Sequence, residues 1–124
     1  MSERAVMLPG PAHPITVEAN PARVEVRAGG KAVANTNRSL TLREASYAAV
    51  HYIPRADVDM AALTRSHHTS YCPYKGEASY YDLTPAGREP LPGAVWYYPA
   101  PYPAVAGIAG CVAFYPDRVE IAAT

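Results

Sequence analysis

The sequence has few cysteines, no excess of either charge and no long apolar run. Its two cysteines are too few for a disulfide-stapled scaffold. Eleven basic residues balance eleven acidic ones, so the formal net charge is zero. A general affinity for nucleic acid or for an anionic membrane needs net or clustered positive charge, and a membrane span needs about 20 apolar residues. We therefore predict no nucleic-acid partner and no membrane partner.

The N-terminal residues lack the apolar stretch and the cleavage site of a signal peptide. We therefore expect a cytoplasmic protein whose thiols stay reduced, because disulfides are rare in that compartment. Cys72 and Cys111 are accordingly predicted to be unpaired.

The composition is that of a folded domain. Apolar residues make up 49% and charged residues 18% of the 124 residues, which is typical of a globular protein rather than a disordered one. This length corresponds to one domain. Thirteen prolines, and ten tyrosines against one phenylalanine, indicate short strands, many turns and rings whose hydroxyl groups need partners.

We divide the chain into a proline-rich N-terminal arm, residues 1–20, and a single β-rich domain, residues 21–124. Prolines at positions 9, 11 and 14 prevent regular structure through most of the arm. Ile15 and Val17 alternate with polar residues and would fit a short edge strand. A packed or frayed terminus is the favoured interpretation.

Alternation of apolar and polar residues predicts eight or nine short strands in the domain. Gly29-Gly30 supplies a hairpin turn after the first of them. A second hairpin is predicted at the end of the chain, around Pro116-Asp117. The predicted strands are residues 23–27, 32–34, 39–43, 50–53, 69–71, 77–82, 94–98, 111–115 and 118–121.

One or two short helices are predicted between the strands. Asp57 fits a helix N-cap, and Val58, Ala61 and Ala62 follow at helical spacing. Pro103 fits the first turn of a second brief helix that ends near residue 108. The predicted class is therefore mainly β, a single small domain built as a barrel or a folded two-layer meander.

Residues 66–81 are denser in reactive and hydrogen-bonding groups than any other window. They contain one of the two cysteines, one of the two lysines, two of the four histidines and four of the ten tyrosines. Pro73 fixes φ and Gly76 is free to take positive φ, so residues 72–76 are predicted to form a bend between two strands. We place the candidate site here, because bends on a rigid scaffold commonly present chemistry.

Three residues of this stretch are candidate catalytic groups: Cys72, Lys75 and His68. Cys72 could serve as a nucleophile if a nearby cation or histidine lowered its pKa, although a buried inert thiol is the more common situation. Lys75 could hold its ammonium over a phosphate or carboxylate, or it could be a solvated turn residue. His68 could be a general base, or it could simply cap a backbone group.

A ligand-binding pocket is predicted around the bend. Its lining comprises His68, Thr69, Tyr71, Cys72, Tyr74 and Lys75, with Trp96 and Tyr98 on a neighbouring strand. An anionic or amide-bearing planar ligand suits these groups. His67, His68 and the two cysteines could supply metal ligands, but neither cysteine has the paired spacing of a structural zinc site. We therefore predict no metal and no other cofactor.

The stretch from Thr69 to Tyr81 resembles the signature of the bacterial domain-of-unknown-function family 427. Supporting blocks follow in the family's order at residues 40–44, 51–54, 94–98 and 112–119. The resemblance implies a small, mainly β cytoplasmic protein related to the β-tent architecture. The family is also labelled nucleotidyltransferase-like, an activity that needs acidic metal ligands and a phosphate-binding loop, and neither pattern occurs in this sequence.

Three functions remain open on these residues. A small-molecule binding domain is the first, an enzyme that uses Cys72 or Lys75 is the second, and an oligomer-forming structural module is the third. The expected partners are therefore an unidentified small-molecule ligand and, in the third case, further copies of the same chain in a homo-oligomer.

Overall fold

A computed structural model describes residues 4–85 and 87–124 as ten strands with three short 3₁₀ helices. The strands are β1 (Ile15–Asn20), β2 (Val24–Ala28), β3 (Lys31–Thr36), β4 (Ser39–Glu44), β5 (Val50–Pro54), β6 (Leu63–Cys72), β7 (Gly76–Leu83), β8 (Leu91–Tyr97), β9 (Cys111–Phe114) and β10 (Glu120–Ala123). The 3₁₀ helices are Arg55–Asp57, Met60–Ala62 and Pro103–Ile108. The predicted class, mainly β in a single small domain, is confirmed, with ten strands in place of eight or nine.

Seven strands form an antiparallel sheet in the order β1-β4-β5-β9-β8-β7-β6. β1 and β6 are its two edges, so within the described part of the chain the sheet stays open and forms no closed barrel. Residues 15–20 of the arm are thus an edge strand rather than a frayed end. The exposure alternates over residues 15–18, which fits a strand with one face on the core and one face in water.

The other three strands form a smaller antiparallel sheet in the order β10-β2-β3. Gly29 and Gly30 join β2 to β3 with φ angles of 61° and 80°. Two positive φ angles are what a type I′ hairpin turn requires, and glycine adopts them without a Cβ penalty. The hairpin predicted at this dipeptide is confirmed.

The main core lies between the two sheets. Val24 and Val26 of β2 are fully buried in one apolar cluster with Val95 and Val112 of the large sheet. Fully burying an aliphatic side chain of this size contributes about 1.5–3 kcal/mol. These contacts join the two sheets into one unit.

A second core lies on the opposite face of the large sheet, because successive strand residues point to opposite faces. Ile53 of β5 belongs to the main core, whereas its neighbour Tyr52 belongs to the second one. The 3₁₀ helix Pro103–Ile108 contributes Val105 and Ile108 to this second core, both almost fully buried. The candidate site is built on this face.

The helix predicted after Asp57 is wrong, because residues 55–62 make two single 3₁₀ turns instead. Val58 between them is extended and bridges Ala34 of β3. The N–H of Asp59 also donates to a β3 carbonyl, at 2.8 Å. The extended backbone of Val58 beside β3 keeps the two 3₁₀ turns from joining into one helix.

Asp57 is therefore not an N-cap. Its carboxylate accepts hydrogen bonds from Thr36 at 2.7 Å and from Arg38 at 3.0 Å. The second predicted helix is present as a 3₁₀ helix with Pro103 in its first turn. Among the described residues, no helix has the length and apolar character that crossing a membrane requires.

The predicted C-terminal hairpin is also wrong, because β9 and β10 belong to different sheets. β9 lies between β5 and β8, so neither of its edges is free to pair with β10. β10 pairs with β2 in the small sheet instead. Next to this pair, Arg23 and Thr124 exchange two backbone hydrogen bonds of 3.0 and 2.9 Å.

Gly76, at the start of β7, is constrained in two ways. Its φ is 112°, and a Cβ at this position would lie 3.3 Å from the carbonyl oxygen of Ala100.

We predict that Gly76→Ala lowers the free energy of unfolding by about 2–3 kcal/mol. A non-glycine residue forced into such a conformation costs about 1–3 kcal/mol, and the close contact with Ala100 adds to that cost. Urea unfolding measures the loss.

The matched control for this substitution is Gly107→Ala. The φ of Gly107 lies outside the left-handed region, and a Cβ there would make only ordinary contacts at 3.8 and 3.9 Å. Its effect on stability should stay within about 0.5 kcal/mol. Equal losses in the two variants would contradict the account of Gly76.

Candidate functional site

The bend at residues 72–76 is the turn of the β6–β7 hairpin, and it packs on the segment before the third 3₁₀ helix. The N–H of Lys75 donates to the carbonyl of Cys72 at 3.2 Å, and the carbonyl of Lys75 accepts from the N–H of Tyr102 at 2.9 Å. These bonds fix the backbone of Lys75. Its side chain is only 13% exposed, so Lys75 is not a solvated turn residue.

The ammonium of Lys75 pairs with the carboxylate of Glu44, the last residue of β4. The side chain of Glu44 is 11% exposed, and its second oxygen accepts a hydrogen bond from the His13 ring at 2.7 Å. The His13 ring stacks on Tyr74, with centroids 4.1 Å apart and planes 8° apart. We call the three residues the His13–Glu44–Lys75 cluster.

The cluster keeps Glu44 ionised. Burial acts to raise the pKa of the Glu44 carboxyl, but the hydrogen bonds from Lys75 and His13 act in the opposite direction and together outweigh it. The pKa of Glu44 therefore lies below its ordinary value. At neutral pH the site holds an ammonium donor directly beside a carboxylate acceptor.

The residue after Glu44 has a strained backbone. Ala45 has a φ of 48°, in the left-handed region that costs a residue with a Cβ about 1–2 kcal/mol. Its N–H donates to the carbonyl of Pro14 at 2.8 Å, and this bond holds the arm, including His13, next to Glu44. Strain of this kind is concentrated at functional sites.

Lys75 and Glu44 line a cavity of about 240 Å³, which we call the tyrosine cleft. Most of its other lining residues are aromatic. The cleft is lined by Leu42, Glu44, Tyr47, Ala48, Val50, Tyr52, Lys75, Tyr80, Trp96, Tyr98 and Tyr115. Strands β4, β5, β7 and β8 all contribute, which places the cleft on the second-core face of the large sheet.

The rings of the cleft are held by contacts with one another. The indole N–H of Trp96 donates to the hydroxyl of Tyr52 at 3.1 Å, and the Trp96 ring packs on Tyr115 with centroids 4.5 Å apart. Burial raises the pKa of Tyr52 and of Tyr98 well above the ordinary tyrosine value. Their hydroxyls therefore stay protonated, and the cleft combines flat apolar surfaces with neutral hydroxyl groups.

A second cavity, of about 340 Å³, shares Tyr80 and Tyr115 with the tyrosine cleft. We call it the histidine cavity. Its other lining residues are Ser66, His68, Asp82, Pro92 and Gly93. Burial and a hydrogen bond with Tyr80 raise the pKa of Tyr115 to about 12, so the hydroxyl of this shared ring is also neutral.

The structure brings four of the predicted site residues to these two cavities. Lys75, Trp96 and Tyr98 line the tyrosine cleft, and His68 lines the histidine cavity. Cys72 is half-buried against the second core. Two of the nearby groups that could activate its thiol contact other residues, because Lys75 pairs with Glu44 and the His68 ring lies against Tyr80.

The remaining predicted residues line neither cavity. Tyr74 supports the His13 ring. The Tyr71 hydroxyl donates to the carbonyl of Ala5 at 2.6 Å and lies 2.7 Å from the Tyr102 hydroxyl. Thr69 is exposed on the edge strand β6.

Several residues of the site were missed by sequence reasoning. They are His13, Glu44, Tyr52 and Tyr115. Glu44 lies 31 residues from Lys75, and no local pattern connects the two positions. The signal that could have found Glu44 is its position at the end of an alternating strand. A carboxylate buried at such a position needs a cationic partner.

The described residues contain no obvious metal site. Within residues 4–85 and 87–124, no group of three or more His, Cys, Asp or Glu side chains lies close enough to hold a metal ion. Cys72 and Cys111 are both free. Burial raises the pKa of the Cys111 thiol, which therefore stays protonated and packs as a small apolar group.

The fold and the cleft define a class of protein: a small, open, two-sheet β protein whose large sheet carries an aromatic cleft beside a buried ion pair. A family model described as a domain of unknown function (DUF427), and named NTP_transf_9, matches residues 16–124. The chain therefore belongs to the DUF427 family, and the resemblance read from the sequence is confirmed. A comparison with curated proteins gave no match.

We predict that Glu44 makes the stability of the protein depend on pH in the acid range. Its carboxyl has a lower pKa in the folded protein than the ordinary 4.5. The stabilisation is therefore complete above pH 4.5 and is lost as the pH falls through the folded pKa. Glu44→Gln should be less stable than wild type at pH 7, and this difference should shrink as the solution is acidified.

Urea unfolding of both proteins between pH 7 and pH 3 measures the effect. Glu18→Gln, at an exposed position of β1, is the control because it removes a carboxylate outside the cluster. A Glu44→Gln difference that stays constant over this pH range would contradict the prediction.

Proposed function

We propose that the tyrosine cleft binds a small, neutral, planar molecule that carries an amide or imide group. The observation that carries this proposal is the ammonium of Lys75 beside the ionised carboxylate of Glu44 in the cleft lining. An amide or imide edge presents a carbonyl acceptor next to an N–H donor, so it complements this pair. Hydrogen bonds to charged groups contribute about 1.5–3 kcal/mol.

The aromatic lining supports a planar ligand. Trp96 and Tyr115 are partly exposed and pack on each other, and the buried Tyr52 accepts a hydrogen bond from the Trp96 indole. The exposed surfaces of Trp96 and Tyr115 are therefore already ordered before a ligand binds. A well-placed aromatic pair contributes about 0.5–1.5 kcal/mol beyond the area it buries. A cavity of about 240 Å³ limits the ligand to one or two rings.

The charges in the cleft favour a neutral ligand over the anionic one considered from the sequence. The charge of Lys75 is already balanced by Glu44. An anion would compete with Glu44 for the ammonium and would also approach a carboxylate of its own sign. A quaternary ammonium would suit the aromatic walls, but it has no hydrogen-bond donor or acceptor for the Lys75–Glu44 pair.

Binding also has more support than the catalytic alternatives. A cysteine nucleophile needs a base or a cation beside its thiol, whereas Lys75 pairs with Glu44 and the His68 ring lies against Tyr80. A lysine nucleophile needs a nitrogen that is free to attack the substrate, whereas the Lys75 nitrogen is bound to the Glu44 carboxylate. The cytoplasm is the proposed location of this binding, supported by the two free thiols.

Trp96 provides the test, because it is the only tryptophan in the sequence and it lines the cleft. Titration with uracil, hypoxanthine or nicotinamide should change its fluorescence in a saturable way. We expect 1,3-dimethyluracil, which has no N–H donor, to bind about tenfold more weakly than uracil, because it cannot bond to Glu44. Glu44→Gln should narrow this difference, because a neutral acceptor forms a weaker hydrogen bond.

Glu18→Gln is the matched control for these titrations, and it should leave the preference for uracil unchanged. The proposed function is contradicted if none of the three rings binds. It is also contradicted if dimethyluracil binds as tightly as uracil to the wild-type protein.

A further inference from the structure

β6 carries a bulge opposite Tyr80 of β7. The register slips between Arg65 and Thr69, so that three residues of β6 stand against the single residue Tyr80. The three bulged residues are Ser66, His67 and His68. Bulges re-aim side chains and are over-represented next to functional sites.

The bulge brings His68 onto the ring of Tyr80. The two ring centroids are 4.6 Å apart with an interplanar angle of 48°, and the backbone N–H of His68 donates to the Ser66 hydroxyl at 3.1 Å. Within the described part of the chain the His68 ring nitrogens have no hydrogen-bond partner. They are therefore available to a ligand, whereas His67 of the same bulge lines neither cavity.

The histidine cavity contains polar side chains beside its two tyrosine rings. One carboxylate oxygen of Asp82 accepts the N–H of Gly93 at 2.9 Å, which leaves the other oxygen as an acceptor. Together with His68 it offers donors and acceptors of the kind that bind hydroxyl groups. Because Tyr80 and Tyr115 line both cavities, a ligand lying across these two rings would reach both.

We infer that the two cavities form one extended site, which binds a planar amide-bearing ring joined to a hydroxylated group. The ring occupies the tyrosine cleft, and the hydroxyl groups bind to His68 and Asp82 in the histidine cavity. This inference rests on the proposed function of the cleft. In this arrangement His68 binds only the hydroxylated part of the ligand and does not contact the ring.

Two pairs of probes test the inference: uracil with uridine, and hypoxanthine with inosine. Each nucleoside adds a hydroxylated group to the same ring and keeps its amide or imide edge. By Trp96 fluorescence, each nucleoside should bind the wild-type protein about five- to tenfold more tightly than its free ring, and this gain should fall to about twofold or less in His68→Ala. The free rings should bind wild type and variant alike, because His68 does not line the tyrosine cleft.

Two further variants make the result specific. His67→Ala is the matched control from the same bulge, and it should keep the full nucleoside gain. His68→Phe keeps an aromatic contact with Tyr80 but removes the ring nitrogens, so it should lose the gain while still binding the free rings.

The outcomes separate the inference about the extended site from the proposed function of the tyrosine cleft. A wild-type protein that binds ring and nucleoside equally, or a gain that survives in His68→Ala or His68→Phe, would overturn the inference and leave the proposed function intact. Loss of the gain in His67→Ala would also overturn it, because the effect would then belong to the bulge and not to the His68 ring. Failure of the free rings to bind would overturn both claims.

Discussion

The burial of the Glu44 carboxylate is the constraint on which the site depends. An ion removed from water without partners costs several kcal/mol, and the fold compensates Glu44 from two directions. His13 comes from the arm and Lys75 from the β6–β7 bend, each 31 residues away along the chain. The bonds that fix these segments, including the one from the strained Ala45 to the arm, therefore also place a donor and an acceptor in the tyrosine cleft.

Features that depend on near neighbours could be predicted from the sequence. The alternation around Val24 and Leu42 located strands β2 and β4, and two adjacent glycines located the hairpin between β2 and β3, because each signal lies within a few residues. The density of reactive groups in residues 66–81 pointed to the bend, and Lys75 from this stretch does line the cleft.

Features that depend on distant partners could not be predicted in this way. β10 pairs with β2 because β9 is already enclosed between two other strands, and no property of residues 111–121 reveals that. Val58 leaves the helical conformation because β3 offers it a bridge. The roles of Glu44 and Tyr115 follow in the same way from which strands meet on the second-core face.

A double-mutant cycle between Glu44 and Lys75 tests most directly whether the site depends on their pairing. Urea unfolding at pH 7 of Glu44→Gln, Lys75→Met and the double variant gives the coupling energy. We predict that Lys75→Met, which leaves a buried carboxylate, loses about 2–3 kcal/mol, and that the double variant loses about 1–3 kcal/mol less than the sum of the single losses. Lys31→Met, at the exposed second lysine, should lose less than about 0.5 kcal/mol. Single losses that add to within about 0.5 kcal/mol of the double loss would contradict the claim.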